Sequence, residues 1–314
     1  MIELYLTDGS ETRVVSRIED WTWIKLTAPT DNEISTVAGA LPDLDRSDLL
    51  AAIDPEEKTR LVHEDTYSLI LIDVPTRDVR HGIETYKTIP LGIILMQHNI
   101  ITICAEDTPV LTPFHAGRVR GFSTRMRISF IYQILLRTSL LYQQVLTAVD
   151  RKRIEFEEHI QSMTGEKDLM SLHELESSLV YIATSLRGNG GVLARLAHSE
   201  RLKPGPEDEG VLEDAIVENQ QAVEMAQIYQ DIIDGTRNLM STIMDSRLNN
   251  VMQRLTSITF ILSIPTVISG LYGMNVDLNW MPLALSPHGF GIICAGTSVI
   301  CLILSIWLIR RGWM

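Results

Sequence analysis

Residues 249–275 read NNVMQRLTSITFILSIPTVISGLYGMN, and no charge falls between Arg254 and Asp277. The uncharged run from Leu255 to Leu271 is slightly short for a membrane span, since a hydrocarbon core of about 30 Å takes about 20 helical residues. The partly apolar turn Asn249–Arg254 extends it, provided an assembly shields that turn. A second uncharged run, Gly289–Ile309, is long enough by itself. Arg247 and Arg254 precede the first span, Arg310 and Arg311 follow the second, and residues 272–288 hold no Lys or Arg. By the positive-inside bias both termini face the cytosol. Trp280 in the loop and Trp307 and Trp313 at the other end suit the two aromatic belts of a bilayer. A buried hairpin in a soluble protein would explain the apolarity but not the matching charge asymmetry.

Asn249, Met252, Thr256, Thr259, Ser263, Thr266 and Gly270 recur every three or four residues and so share one helical face. The rest of this helix is bulky and apolar. Small and hydroxyl residues on one face have two readings. They let membrane helices approach closely, or they line a water-filled path, which would require several copies of the chain around an axis.

Upstream, helical spacing begins near Glu209, meets no proline until Pro265, and continues to Leu271. At 1.5 Å per residue that is a helix of roughly 95 Å, which needs partners along its length. Two more long helices are expected over Thr124–Gln161 and Lys167–Leu202, with a turn at Lys203-Pro204-Gly205-Pro206. Gly188-Asn189-Gly190-Gly191 follows no strand and fits no phosphate-loop spacing, so it reads as a flexible or closely packed point of the second helix. Nearer the N-terminus, β-branched and aliphatic runs at Trp23–Leu26, Ser68–Val74, Thr88–Leu95 and Asn99–Cys104 read as strands. Asp31–Leu41 and Asp45–Ile53 read as helices, and Gln97-His98-Asn99 as a hairpin turn. The expected division is an α+β cytoplasmic domain (an α/β/α sandwich) over residues 1–120 and long cytoplasmic helices over 121–208. A stalk follows at 209–254, then a first span at 255–271, an external loop at 272–288, a second span at 289–309 and a basic tail at 310–314.

Of the formal charges, the first 246 residues carry 23 basic and 39 acidic side chains. Such an acidic body is a poor partner for nucleic acid, whose phosphates need clustered Lys and Arg, and a better one for cations. Three cysteines without paired spacing predict neither a disulfide framework nor a zinc cluster. The N-terminus lacks the basic start and apolar run of a signal peptide. There is no P-loop, no acid–base or nucleophile cluster and no histidine pair spaced for zinc, so catalysis is not expected.

At the end of the polar stripe stands Tyr272-Gly273-Met274-Asn275. Placed after a long helix, with Pro265 inside the span and a short loop to a final span with a basic end, this stretch resembles the Gly-Met-Asn signature of the CorA family. The resemblance covers the whole architecture and is strongest from Glu213 to Met314. It implies a funnel-shaped homopentamer in the inner membrane, surrounded by lipid, with the first span lining the pore and the second forming an outer ring. Gly273, Met274 and Asn275 would form the selectivity filter, with Asn275 ringing the outer mouth. Neutral amides that hydrogen-bond to hydration water suit Mg²⁺, which dehydrates reluctantly. Gly273 would supply a backbone conformation closed to other residues. Constrictions map onto Asn249, Met252, Leu255 and Thr266. Ser263 departs from the pattern at a position where a bulky apolar group is usual, which shifts the gate toward Met252 and Leu255. Asp214 and, with a less secure alignment, Asp48 would bind regulatory Mg²⁺ between subunits and close the channel. The membrane potential would drive uptake, with Co²⁺ and Ni²⁺ as further cargo. Two rivals remain open: a zinc or other divalent transporter of the same superfamily, and a membrane-anchored coiled-coil scaffold.

Overall fold

A computed structural model describes the chain apart from residues 9–10, 160–165, 206–207, 278, 280 and 314. It divides into two compact units, residues 1–236 and 237–314.

The first unit is built on a seven-stranded sheet in the order β2-β1-β3-β7-β6-β5-β4. The strands are β1 (Ile2–Asp8), β2 (Glu11–Val14), β3 (Trp23–Thr27), β4 (Arg60–His63), β5 (Tyr67–Arg80), β6 (Ile83–Met96) and β7 (Ile100–Cys104). Among the described strands only β3 and β7 pair in parallel. The four expected strands are present, but β1, β2 and β4 escaped the sequence reading. Two of them are edge strands, and an edge such as Glu-Thr-Arg-Val in β2 is polar and exposed, with no apolar run to betray it. β5 and β6 form one hairpin in register from Tyr67↔Met96 to Arg80↔Ile83. Its two-residue turn, His81-Gly82, has both φ angles positive, at 54° and 77°, as the right-handed strand twist demands.

Alternation along the strands sends side chains into two cores. One face packs under α1 (Asp31–Ala40) and α2 (Arg46–Ala51), burying Ile24, Leu26, Leu69 and Leu71. Thr30 and Glu33 start α1 with a capping box, which satisfies helix-end donors reciprocally. The other face buries Trp23, Ile70, Ile72 and Ile93. Over it lie a short α3 (Thr112–His115), the long helices α4 (Arg127–His159) and α5 (Glu166–Ala197), and the start of α6 (Glu209–Tyr272). Trp23 is fully buried, meets Phe114, Phe122 and Phe130 edge-on, and donates from Nε1 to Thr102 Oγ1 at 2.8 Å. The fold is therefore the expected α/β/α sandwich followed by long helices.

The Gly188-Asn189-Gly190 stretch is a packing junction. A Cβ on Gly188 would sit 2.5 Å from Thr59 Oγ1, so only glycine lets α5 come this close. β4 pairs with β5 only as far as Leu71, which would leave the outer backbone groups of Asp73 unpaired. Asn189 supplies the missing partner: its Oδ1 accepts from Asp73 N–H at 2.9 Å and its Nδ2 donates to the Asp73 carbonyl at 2.8 Å. Nearby, Asn219 of α6 donates to Leu186 O.

The second unit contains the end of α6 and α7 (Gly289–Arg310). Both are long and apolar enough to cross a membrane, yet little of their apolar stretches is buried within the chain. Phe290, for example, is 84% exposed, a surface suited to lipid or to other copies and not to water.

Candidate functional site

α6 passes through Pro265 without a break. Proline has no N–H, so the carbonyl four residues earlier, Ile261 O, loses its helical donor. Cys301 of α7 fills that gap, its Sγ lying 3.8 Å from Ile261 O. In a bilayer no water can do this instead, so the contact helps to fix which face of α6 meets α7. That face carries Ser257, which is 2% exposed, together with the part-buried Ile261, Ile264 and Ile268.

All seven residues of the polar stripe, Asn249, Met252, Thr256, Thr259, Ser263, Thr266 and Gly270, are exposed in the isolated chain. At 100° per residue their mean direction lies about 140° around α6 from the α7-facing side. The stripe and α7 thus occupy nearly opposite faces of the helix.

Each hydroxyl of the stripe donates to a carbonyl of its own helix: Thr256 to Met252 O at 2.8 Å, Thr259 to Leu255 O at 2.9 Å, Ser263 to Phe260 O at 2.7 Å and Thr266 to Leu262 O at 2.9 Å. A hydroxyl has one proton and two lone pairs. With the proton committed to the backbone, each of these four hydroxyls offers only acceptors to whatever faces it. Such a surface suits donors, including the outward-pointing protons of a cation's hydration water. Below the hydroxyls, Met252 and Leu255 are 53% and 57% exposed and present a purely apolar band.

α6 ends at Tyr272. Gly273 N–H closes the helix on Ser269 O at 2.9 Å. The expectation of a special backbone conformation at Gly273 is not met, because its φ is not among the chain's positive values. What glycine provides is space, since a Cβ there would lie 3.3 Å from Ser269 O. Asn275 follows outside any helix or strand, spanned by a Val276 N–H to Met274 O bond of 3.1 Å, and is exposed. Its side chain has no hydrogen-bond partner among the described residues. Two contacts fasten the loop beyond it. Tyr272 Oη donates to Pro282 O at 2.8 Å. Gly289 abuts Leu283 so tightly that a Cβ would come within 2.0 Å of the Leu283 carbonyl oxygen. Asp277 Oδ1 accepts from Asn279 N–H at 3.0 Å. Trp280 lies outside the described residues.

Of the two expected regulatory carboxylates, Asp48 stands in the first turn of α2 and accepts from Tyr67 Oη at 2.6 Å. Burial and this hydrogen bond push the Tyr67 phenol up. Asp214 is exposed on α6 between Leu212 and Ala215. Leu212 and Ala215 belong to the core on the α4–α5 face of the sheet, whereas Leu49, next to Asp48, belongs to the opposite core. One chain therefore keeps Asp48 and Asp214 on opposite sides of the sheet, and an ion shared by such residues would have to lie between two chains. Among the described residues no group of three His, Cys, Asp or Glu side chains could hold a metal ion. Sequence reading missed the surroundings of Asp48, a cavity of about 510 Å³ also lined by Asp43, Asp45, Glu64 and Asp65. The loop from β4 to β5 brings the last two to α2. A backbone N–H from Ser47 holds the Asp45 carboxyl below its ordinary value.

The model of the CorA-like Mg²⁺ transporter protein family matches residues 19–311. The chain belongs to the CorA family. It is 26% identical over 300 residues to the cobalt/magnesium transport protein CorA of Methanocaldococcus jannaschii, covering 93% of this chain and 91% of that protein. Identity to the protein of the same name from Thermotoga maritima is 21% over 300 residues, covering 93% and 83% of the two. In structure, the complete CorA magnesium transporter from M. jannaschii superposes with a TM-score of 0.82 at 23% identity, covering 100% of this chain and 99% of that one. The full-length CmaX protein gives 0.69 at 16% identity, covering 99% and 97%. At these identities the structural likeness speaks for the fold. CorA proteins are membrane transporters with two C-terminal apolar helices, and this CorA-family chain is a transporter and not an enzyme.

Proposed function

We propose that this CorA chain forms a homopentameric channel in the inner membrane that takes up Mg²⁺ into the cytosol. Residues 255–271 line the pore, 289–309 form the outer ring, 272–288 form the outer mouth, and 209–254 form the stalk; residues 1–208 and the basic tail 310–314 are cytosolic. The observation that carries this reading is the row of hydroxyls, each offering only acceptors, that lies opposite α7 and leads to an exposed Asn275 whose side chain has no partner among the described residues. Five copies turned with α7 outward would enclose that stripe. Rings of Gly273, Met274 and Asn275 then receive a hydrated divalent ion through its water. Below them the Met252–Leu255 band closes the path by excluding water. Moving two charges inward is favoured by about 4.6 kcal/mol per 100 mV, twice the single-charge value, so no catalytic energy source is needed.

In this reading cytosolic Mg²⁺ closes the channel by bridging Asp48 of one subunit and Asp214 of the next. The acidic cavity around Asp48 and the separation of the two residues within one chain support a site between subunits. Loss of the ion leaves carboxylates facing each other unneutralised, loosens the subunit contact and lets the Met252–Leu255 band wet.

The test is ion influx into proteoliposomes with an inside-negative potential, measured for Mg²⁺, Co²⁺, Ni²⁺ and Zn²⁺. Asn275→Ala is expected to reduce Mg²⁺ influx about tenfold or more, a barrier change of at least about 1.4 kcal/mol. Unchanged influx would remove Asn275 from the ion path, and Zn²⁺ flux that depends on a proton gradient would reassign the cargo. With Asp48→Asn and Asp214→Asn combined, influx is expected to lose its inhibition by internal Mg²⁺. Retained inhibition places the sensor elsewhere.

A further inference from the structure

Beside α4 lies a cavity of about 380 Å³ that transport does not use. Its charged lining consists of two guanidiniums, Arg120 from the loop before α4 and Arg137 from α4 itself, and no carboxylate lines it. This is unusual in a chain of net charge −13. Neither arginine makes a salt bridge among the described residues. Arg137 instead lies over the buried Phe114 ring, 5.4 Å from its centroid, which holds the cation in place without neutralising it. The floor is apolar, with Val110, Leu136 and Val211. Two amides, Gln133 and Gln144, also line it. On α4, residues 133, 136, 137, 140, 141 and 144 fall on one face, so a single helix presents cation, amide and apolar surface together.

These features ask for a ligand with three properties. It must be an anion able to take hydrogen bonds from guanidinium groups, as phosphate does. It must have an apolar body that fits a cavity at the small end of the usual ligand range of about 300–1,000 Å³. It must also carry a polar edge that the two lining amides can hydrogen-bond. A bare anion offers the first alone, and a fatty acid lacks the third. We propose that this cavity binds a nucleoside phosphate, with its phosphate on Arg120 and Arg137, its base on the apolar floor and the polar edge of the base on the Gln133 and Gln144 amides. The site lies wholly within residues 1–236 and is separate from the ion path, so it would couple the cytosolic unit to nucleotide supply.

The experiment titrates full-length protein in detergent with AMP and, separately, with inorganic phosphate, by calorimetry. AMP is expected to bind about tenfold or more tighter than phosphate, since each 1.4 kcal/mol of base contact is a factor of ten. Arg120→Gln and Arg137→Gln are each expected to weaken AMP by about tenfold, the loss of one charge-assisted contact. Gln133→Leu should weaken AMP and leave phosphate unchanged. Arg120 is exposed, so its variant tests the site even if Arg137→Gln disturbs the Phe114 core. Absence of AMP binding, binding indifferent to both arginines, or equal affinity for AMP and phosphate would each overturn the proposal. So would a change of oligomeric state in Arg120→Gln without any AMP binding to the parent, because a neighbouring subunit's carboxylate would then be the occupant.

Discussion

Residues 1–236 and residues 237–314 obey opposite rules with the same side chains. In the first unit Trp23, Phe114 and Phe130 are almost completely buried, and the solvent face is charged. In the second, Phe260, Phe290 and Leu302 are 57%, 84% and 61% exposed, while the hydroxyls of the stripe turn their protons back to their own helix. One helix, α6, runs through both units. The contrast teaches that burial in a single chain measures solvent only where the solvent is water. In the tail the chain leaves an apolar surface suited to lipid, and what it must settle internally is its backbone polar groups.

The sharpest way to break this comparison is one kind of truncation made in both units. Trp23→Ala is expected to cost about 3–5 kcal/mol, the price of a large core cavity plus the orphaned Thr102 contact. Phe290→Ala is expected to stay within about 0.5 kcal/mol, as for exposed positions. Thermal melts of full-length protein in detergent would check both. Comparable losses would mean that Phe290 is buried against another subunit.

A smaller effect concerns polar burial in the first unit. Burial pushes the Asp73 carboxyl above its ordinary value, partly offset by the Ser185 hydroxyl, which donates to it at 2.6 Å. A carboxyl whose pKa is higher folded than unfolded binds more protons when folded. It therefore imposes no penalty at pH below its unfolded value of about 3.9, and a growing one as pH rises through the folded value. Asp73→Asn is expected to raise the melting temperature by a few degrees at pH 8 and to lose this advantage toward about pH 4. A pH-independent difference would show that Asp73 is ionised throughout.

The smallest effect belongs to the tail. Cys301→Val removes the donor to the carbonyl that Pro265 orphans and is expected to cost about 1 kcal/mol. Cys301→Ser, which keeps a donor, is expected to cost less. Equal losses for the two, in melts followed by the fluorescence of Trp307, would make packing and not hydrogen bonding the cause.

Much of this protein was legible from the chain because the signals were local and repeated. The span at 289–309, the helix beginning at Glu209 and the stripe from Asn249 to Gly270 each follow from periodicity and charge over consecutive residues. β2 and β4 were not legible, since edge strands carry little apolar pattern. The cavity around Asp48 was hidden because its acids come from two segments, 43–48 and 64–65, that are brought together by side-chain hydrogen bonds from Thr66 and Tyr67. Gly188-Asn189-Gly190 was recognisable as unusual, but its partners Thr59 and Asp73 lie more than a hundred residues away in the chain.

The sequence alone determined where the chain is apolar, which helix carries the hydroxyl stripe and where Asn275 stands at its end, because helical periodicity turns spacing directly into faces. The tertiary structure decided which face of α6 meets α7, which backbone groups Asn189 and Cys301 rescue and which cations share a cavity. Those depend on contacts between distant segments, and an unpaired backbone group becomes costly only once folding has taken it out of water.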